Sequence, residues 1–165
     1  MSAEKKKQRS VLILVVGLVV VLMGSVLFVG AVSGWFSDMK VELEPEYYCK
    51  EECDGELLDL SGEQYEELVN SKKSFVVFVD QSGCVTAEKL KGYIKDYAKE
   101  VGIKPYIILF SEAKNTSLHD HVKYYPSVAI VSRGRIVNYL RADNDNDSDY
   151  YNDYNEFRKW ISQYL

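Results

Sequence analysis

Phe75 to Val79 is an unbroken apolar run of β-branched and aromatic residues, the pattern of a strand buried on both faces. After the polar turn Asp80-Gln81-Ser82-Gly83 the period changes. Ala87, Leu90, Ile94, Tyr97, Ala98 and Val101 recur at steps of three and four, with Glu88, Lys89, Lys91, Lys95, Asp96 and Lys99 between them, which predicts an amphipathic helix packed on the sheet. Gly102 supplies its C-terminal stop, and Tyr106 to Phe110 reads as a second buried strand. Two such strands joined by a helix imply a parallel crossover.

The same reading extends to both sides. Upstream, Glu56 to Leu60 predicts a short strand, and Ser61-Gly-Glu-Gln64 has the spacing of a capping box for a helix carrying Tyr65, Leu68 and Val69. Downstream, a short helix is expected over Thr116 to Lys123. Tyr125-Pro126 then introduces two strands, Ser127–Ser132 and Arg135–Leu140, joined at Arg133-Gly134 as an antiparallel hairpin. Tyr154, Phe157, Ile161 and Tyr164, with Trp160, mark a last amphipathic helix.

One stretch belongs to no soluble fold. Val11 to Val32 is an uncharged run of 22 residues, about 33 Å of helix, enough to cross a bilayer core. It exceeds the roughly 7–15 apolar residues of a signal peptide, so it reads as an uncleaved anchor. The basic residues before it and the acidic body after it orient the N-terminus toward the cytoplasm, with Trp35 and Phe36 at the far interface. Four segments follow: a basic cytoplasmic N-terminus (1–10), a transmembrane helix (11–36), an acidic extracytoplasmic linker (37–55) and a folded domain (56–165). The expected location is a cell membrane, single-pass, with the domain outside the cytoplasm.

Charge narrows the partners. The first ten residues hold Lys5, Lys6, Lys7 and Arg9 against Glu4; setting them aside from the total of 20 basic and 25 acidic residues leaves 16 and 24, a body of net charge −8. An acidic body without a basic face argues against nucleic acid.

The three cysteines carry the candidate chemistry. Cys49 and Cys53, four apart, can lie a helical turn apart or face each other across a loop, and in an oxidising compartment a local disulfide is the expectation. A zinc site would need two further ligands, and His119 and His121 lie far along the chain, so no metal is assigned. Cys84 stands in the first turn of the helix after the central strand, where free backbone N–H groups and the positive end of the helix dipole favour an anion. In Asp143 to Glu156, counting from Asp145, Asp147, Asp149, Asp153 and Glu156 fall at four of the side-chain ligand positions of a calcium loop. Tyr150, however, replaces the glycine required at position six.

The order strand, helix, strand, cysteine turn, helix, strand, helix, X-Pro, hairpin, helix resembles a thioredoxin-like domain over about Glu56 to Leu165. The resemblance implies an α/β fold with a mixed sheet flanked by helices, a reactive Cys84, and a cis proline at Pro126. Tyr125 and Pro126 would form the edge that binds an extended substrate beside the sulfur. It implies no cofactor. The departures are specific: Ala87 stands where the family has its second cysteine, Gly83 where it has a tryptophan, and Phe78 where it has a buried acid. The chain is at most a degenerate thiol-disulfide oxidoreductase. Its expected function is mixed-disulfide formation between Cys84 and client protein thiols. The alternative is a redox-inactive binding module that holds a partner protein near the membrane through a tyrosine-rich surface including Tyr124, Tyr125, Tyr150 and Tyr151.

Overall fold

The computed structural model describes residues 40–165. The transmembrane helix expected over 11–36 and the basic segment before it lie outside the described residues. Among the described residues no helix is long and apolar enough to cross a membrane.

Eleven elements follow in chain order: β1 (Leu58–Asp59), α1 (Gly62–Asn70), β2 (Phe75–Asp80), α2 (Val85–Val101), β3 (Tyr106–Leu109), α3 (Phe110–Ala113), α4 (Leu118–His121), β4 (Ser127–Ser132), β5 (Arg135–Tyr139), α5 (Ser148–Asn152) and α6 (Tyr154–Ile161). The strands form one sheet in the order β1-β3-β2-β4-β5. β1, β3 and β2 run parallel, while β4 is antiparallel to β2 and to β5. β2 is central and buried at every position, as the apolar run Phe75 to Val79 requires, and it ends on a buried Asp80.

Alternation along β2 assigns its two faces. Phe75 meets Tyr65 of α1 edge to face at 5.9 Å. Val76, Phe78 and Asp80 therefore point the other way, toward α2, where Lys91 reaches Asp80. α2 buries the stripe Ala87, Leu90, Ile94, Tyr97 and Ala98 and ends on Gly102 in the left-handed region. Against it lies α6, through Tyr97 on Phe157. Ser61 and Gln64 close a reciprocal capping box at the start of α1. In the β4–β5 turn Gly134 has φ +73°, and a Cβ there would run into the Val69 carbonyl of α1. That close approach restricts the position to glycine.

The linker expected over 37–55 needs correction from Lys40 onward. Val41, Leu43 and Tyr47 are buried in the same core as β2, and Lys40–Leu165 form one compact unit. The segment crosses the domain as a strap. Lys104 N–H donates to the Tyr47 carbonyl at 2.8 Å, Cys49 N–H donates to the Gly102 carbonyl at 2.9 Å, and Tyr48 bridges Ile103. Its alternating apolar residues bury themselves while its acids stay in water, so an acidic composition is compatible with docking.

Two element ends also differ from expectation. β3 stops at Leu109, and Phe110 opens the single turn of α3. The helix expected over Thr116 to Lys123 is only Leu118–His121, because Thr116 is taken up in the turn before it, its hydroxyl donating to the Ala113 carbonyl at 2.8 Å.

Candidate functional site

The parallel register places the C-terminal ends of β2 and β3 side by side, with Asp80 opposite Leu109. The antiparallel register adds the start of β4, Val79 opposite Ser127. One end of the sheet thus gathers the Cys84 turn, the β3–α3 junction and the Tyr125-Pro126 loop. This convergence follows from the strand pairing alone.

Cys84 closes a tight turn, its N–H donating to the Gln81 carbonyl at 3.1 Å, and its own carbonyl accepts the first bond of α2 from Glu88 N–H at 3.2 Å. Gly83 has φ +78°, which turns the chain from strand to helix. Cys84 is the N-cap residue and makes no side-chain capping bond. It is half-buried, and it carries the one free thiol of the chain's three cysteines. Gln81, Ser82 and Gly83 are exposed, and Val85 is 85% exposed. Ala87, one turn on, is fully buried, so no second sulfur stands behind the first.

Beneath this turn is a group that the sequence reading missed. Phe78 occupies the position where a buried acid was sought, but Asp80, one pleat along on the same face, is only 6% exposed. Its Oδ2 accepts from Lys91 Nζ at 3.2 Å, while Oδ1 is buried with no partner among the described residues. A buried carboxylate holding one cation and an unpaired oxygen is costly to keep dry. The signal for it was a polar residue ending an otherwise apolar run, with Lys91 on the inward flank of the next helix.

The opposite wall is the proline loop. The Tyr125-Pro126 bond is cis. Tyr125 packs on Phe110, with ring centroids 4.8 Å apart and planes tilted by 49°, and its ring is near-parallel to that of His119 at 6.1 Å. Its hydroxyl donates to the Val122 carbonyl at 2.6 Å and lies 2.8 Å from His119 Nδ1. Burial pushes that hydroxyl up to about 12. The Pro126 carbonyl is held by the Tyr151 hydroxyl, which donates at 3.0 Å. Among the described residues the backbone N–H and C=O of Tyr125 take no part in loop or cap bonding. Leu109, Phe110 and Tyr124 are exposed.

This arrangement revises the tyrosine-rich surface. Tyr124 is exposed and Tyr125 and Tyr150 are half-buried, but Tyr151 is buried and spent on Pro126. Burial, then the nearby Asp147 and Asp143 carboxylates, push its hydroxyl well above the usual phenol range. Of the two histidines, His119 faces the loop and His121 is exposed.

Cys49 and Cys53 form a disulfide with Cα atoms 5.7 Å apart. It sits at the far end of α2, beside Gly102 and Ile103. The 17 residues of α2 separate it from Cys84 by about 25 Å, so the disulfide and the Cys84 sulfur cannot exchange directly. The acidic loop is committed to its own backbone. Asp147 accepts from Arg141 N–H at 2.8 Å and from the Asn144 amide at 3.2 Å, and Asp153 caps α6 by accepting from Asn155 and Glu156 N–H. Among the described residues no cluster of three or more histidine, cysteine, aspartate and glutamate side chains is placed to hold a metal ion.

No protein-family model matches the sequence, and no curated protein sequence matches it either. Solved structures do. A mutant thioredoxin from Halobacterium salinarum NRC-1 is similar over 67% of this chain and 92% of its own, with a TM-score of 0.51 and 13% identity. Thioredoxin F from spinach chloroplast covers 67% of this chain and 87% of its own, at a TM-score of 0.49 and 13% identity. Thioredoxin O1 from Arabidopsis thaliana covers 66% and 98%, at 0.49 and 13%. The archaeal match carries the comparison, and at its identity the likeness is one of fold. The domain has a thioredoxin-like fold.

Proposed function

We propose that the chain is a membrane-anchored protein that presents a thioredoxin-like domain outside the cytoplasm and exchanges disulfides with client proteins through Cys84. One observation carries the reading. The chain's free thiol lies on an open polar turn at the head of α2, beside a cis X-Pro loop whose Tyr125 backbone makes no bond among the described residues. That backbone supports strand-like pairing with an extended client segment, and the exposed Val85, Leu109, Phe110 and Tyr124 support apolar contact. The anchor and the location rest on the uncharged run Val11 to Val32 and the charge on either side of it.

The exchange is fully specified by one sulfur. The Cys84 thiolate attacks a sulfur of a client disulfide, a Cys84–client S–S bond forms, and the client's other sulfur leaves as a thiolate. With Ala87 behind Cys84, the mixed disulfide waits for a thiol from the client or from solution to attack it and release Cys84. A long-lived mixed disulfide is therefore the expected state.

A second reading has its own support: the exposed aromatic residues and the missing second sulfur suit a module that binds a partner without redox work. Cys84→Ser separates the two. Under the exchange reading the variant recovers no covalent partner on non-reducing gels; unchanged recovery of the same partner gives the site to non-covalent binding.

A further inference from the structure

We propose, resting on the exchange reading of Cys84, that His119 is a positioning residue for this site. Held as its Nδ1–H tautomer, it fixes the Tyr125-Pro126 edge and so favours extended polypeptide over small reactants. The tautomer follows from counting protons. The Tyr125 hydroxyl has one hydrogen, and the 2.6 Å contact with the Val122 carbonyl consumes it, because a carbonyl has none to give. His119 Nδ1, 2.8 Å from the same oxygen, must therefore bring its own hydrogen, which leaves the lone pair of the neutral ring on Nε2. Burial keeps the tyrosine protonated through the physiological range, since its hydroxyl titrates at about 12.

The clamp is local and stiff. Val122 and His119 belong to one turn, tied by Val122 N–H donating to the Leu118 carbonyl at 2.9 Å, and Leu118 is fully buried. The tyrosine ring also packs on Phe110, with centroids 4.8 Å apart. Pro126 is fixed separately, through its carbonyl, by Tyr151. Tyr125 is thus held through its side chain alone, and its backbone, which makes no bond among the described residues, is the part a client would meet. Loss of the Nδ1–H bond would loosen that edge without touching the sulfur.

The test uses the full chain with two probes, iodoacetamide and a cysteine peptide activated as its thiopyridyl disulfide, together with long-range ¹H–¹⁵N spectra of His119 at a pH where the ring is neutral. We expect a protonated Nδ1 and a bare Nε2. His119→Leu should slow peptide capture about fivefold, as for one lost hydrogen bond, with alkylation by iodoacetamide unchanged. His119→Asn, whose amide N–H can stand in for Nδ1–H, should restore the peptide rate. An Nε2–H tautomer, an equal slowing of both probes, or failure of asparagine to rescue would overturn the assignment. If the wild-type protein captures no peptide while iodoacetamide reacts, the exchange reading falls, and His119's role in it falls too. The nitrogen spectrum then separately decides the geometry of the clamp.

Discussion

The two ends of α2 handle sulfur in opposite ways. At the C-terminal end Cys49 and Cys53 are closed on each other, and the strap bearing them is stitched to Gly102, Ile103 and Lys104. At the N-terminal end Cys84 is alone, half-exposed, above a buried carboxylate and beside a loop whose Tyr125 backbone makes no bond among the described residues. The pair closes a small loop within the strap, which backbone hydrogen bonds fasten to the domain, and the single thiol is half-buried at the head of the helix. The same element thus has a structural end and a chemical end, and the difference lies in what surrounds each sulfur.

The most drastic way to break this contrast is to give Cys84 a partner. Ala87→Cys places a thiol one helical turn on, within reach of an internal disulfide by the ordinary i, i+3 adjacency. Under oxidation the variant should lose two mass units internally, and most of the trapped mixed disulfide should disappear. Persistence of the trapped species at wild-type levels would mean that a sulfur at position 87 does not reach Cys84.

A smaller effect is expected at the other end. Replacing Cys49 and Cys53 together with serine removes a five-residue closed loop, for which the chain-entropy relation gives about 2 kcal/mol of lost stability. Denaturant titration checks that figure, and peptide capture by Cys84 should stay at the wild-type rate. A parallel loss of capture would erase the distinction between the two ends.

A further effect, confined to alkaline pH, concerns the loop beside the thiol. The Tyr125 hydroxyl titrates at about 12 in the folded chain, against about 10 when unfolded. The unfolded state therefore loses its proton first, and the folded state holds more protons between those values. Stability from this group is complete below pH 10 and is lost as pH rises toward 12. Thermal melts across that window should show a shallower decline for Tyr125→Phe than for the wild type. Identical slopes would mean the hydroxyl is no more buried than in the unfolded chain.

Much of this was readable from residue order. The unbroken apolar run of β2 and the three-and-four spacing of α2 each encode burial locally, so strand, helix and the cysteine between them followed directly. The X-Pro before the hairpin was equally plain. What escaped depends on contacts made only once the chain is folded. Asp80 looked like part of a polar turn because its cation, Lys91, reaches it only after α2 folds back on the sheet. The role of His119 rests on a tyrosine hydroxyl whose hydrogen is already given to the Val122 carbonyl, which residue order does not show. The strap looked like a tether because acids separate Val41, Leu43 and Tyr47, and its alternation is too short to stand out beside them.

The central claim is that Cys84 is the one sulfur available for chemistry in the folded protein. Alkylation of the native full-length chain, with each cysteine followed by mass spectrometry, tests it most directly. The account predicts modification at Cys84 alone, with Cys49 and Cys53 labelled only after reduction. Labelling of Cys84 only once the protein is unfolded would contradict it and leave the domain as a binding scaffold.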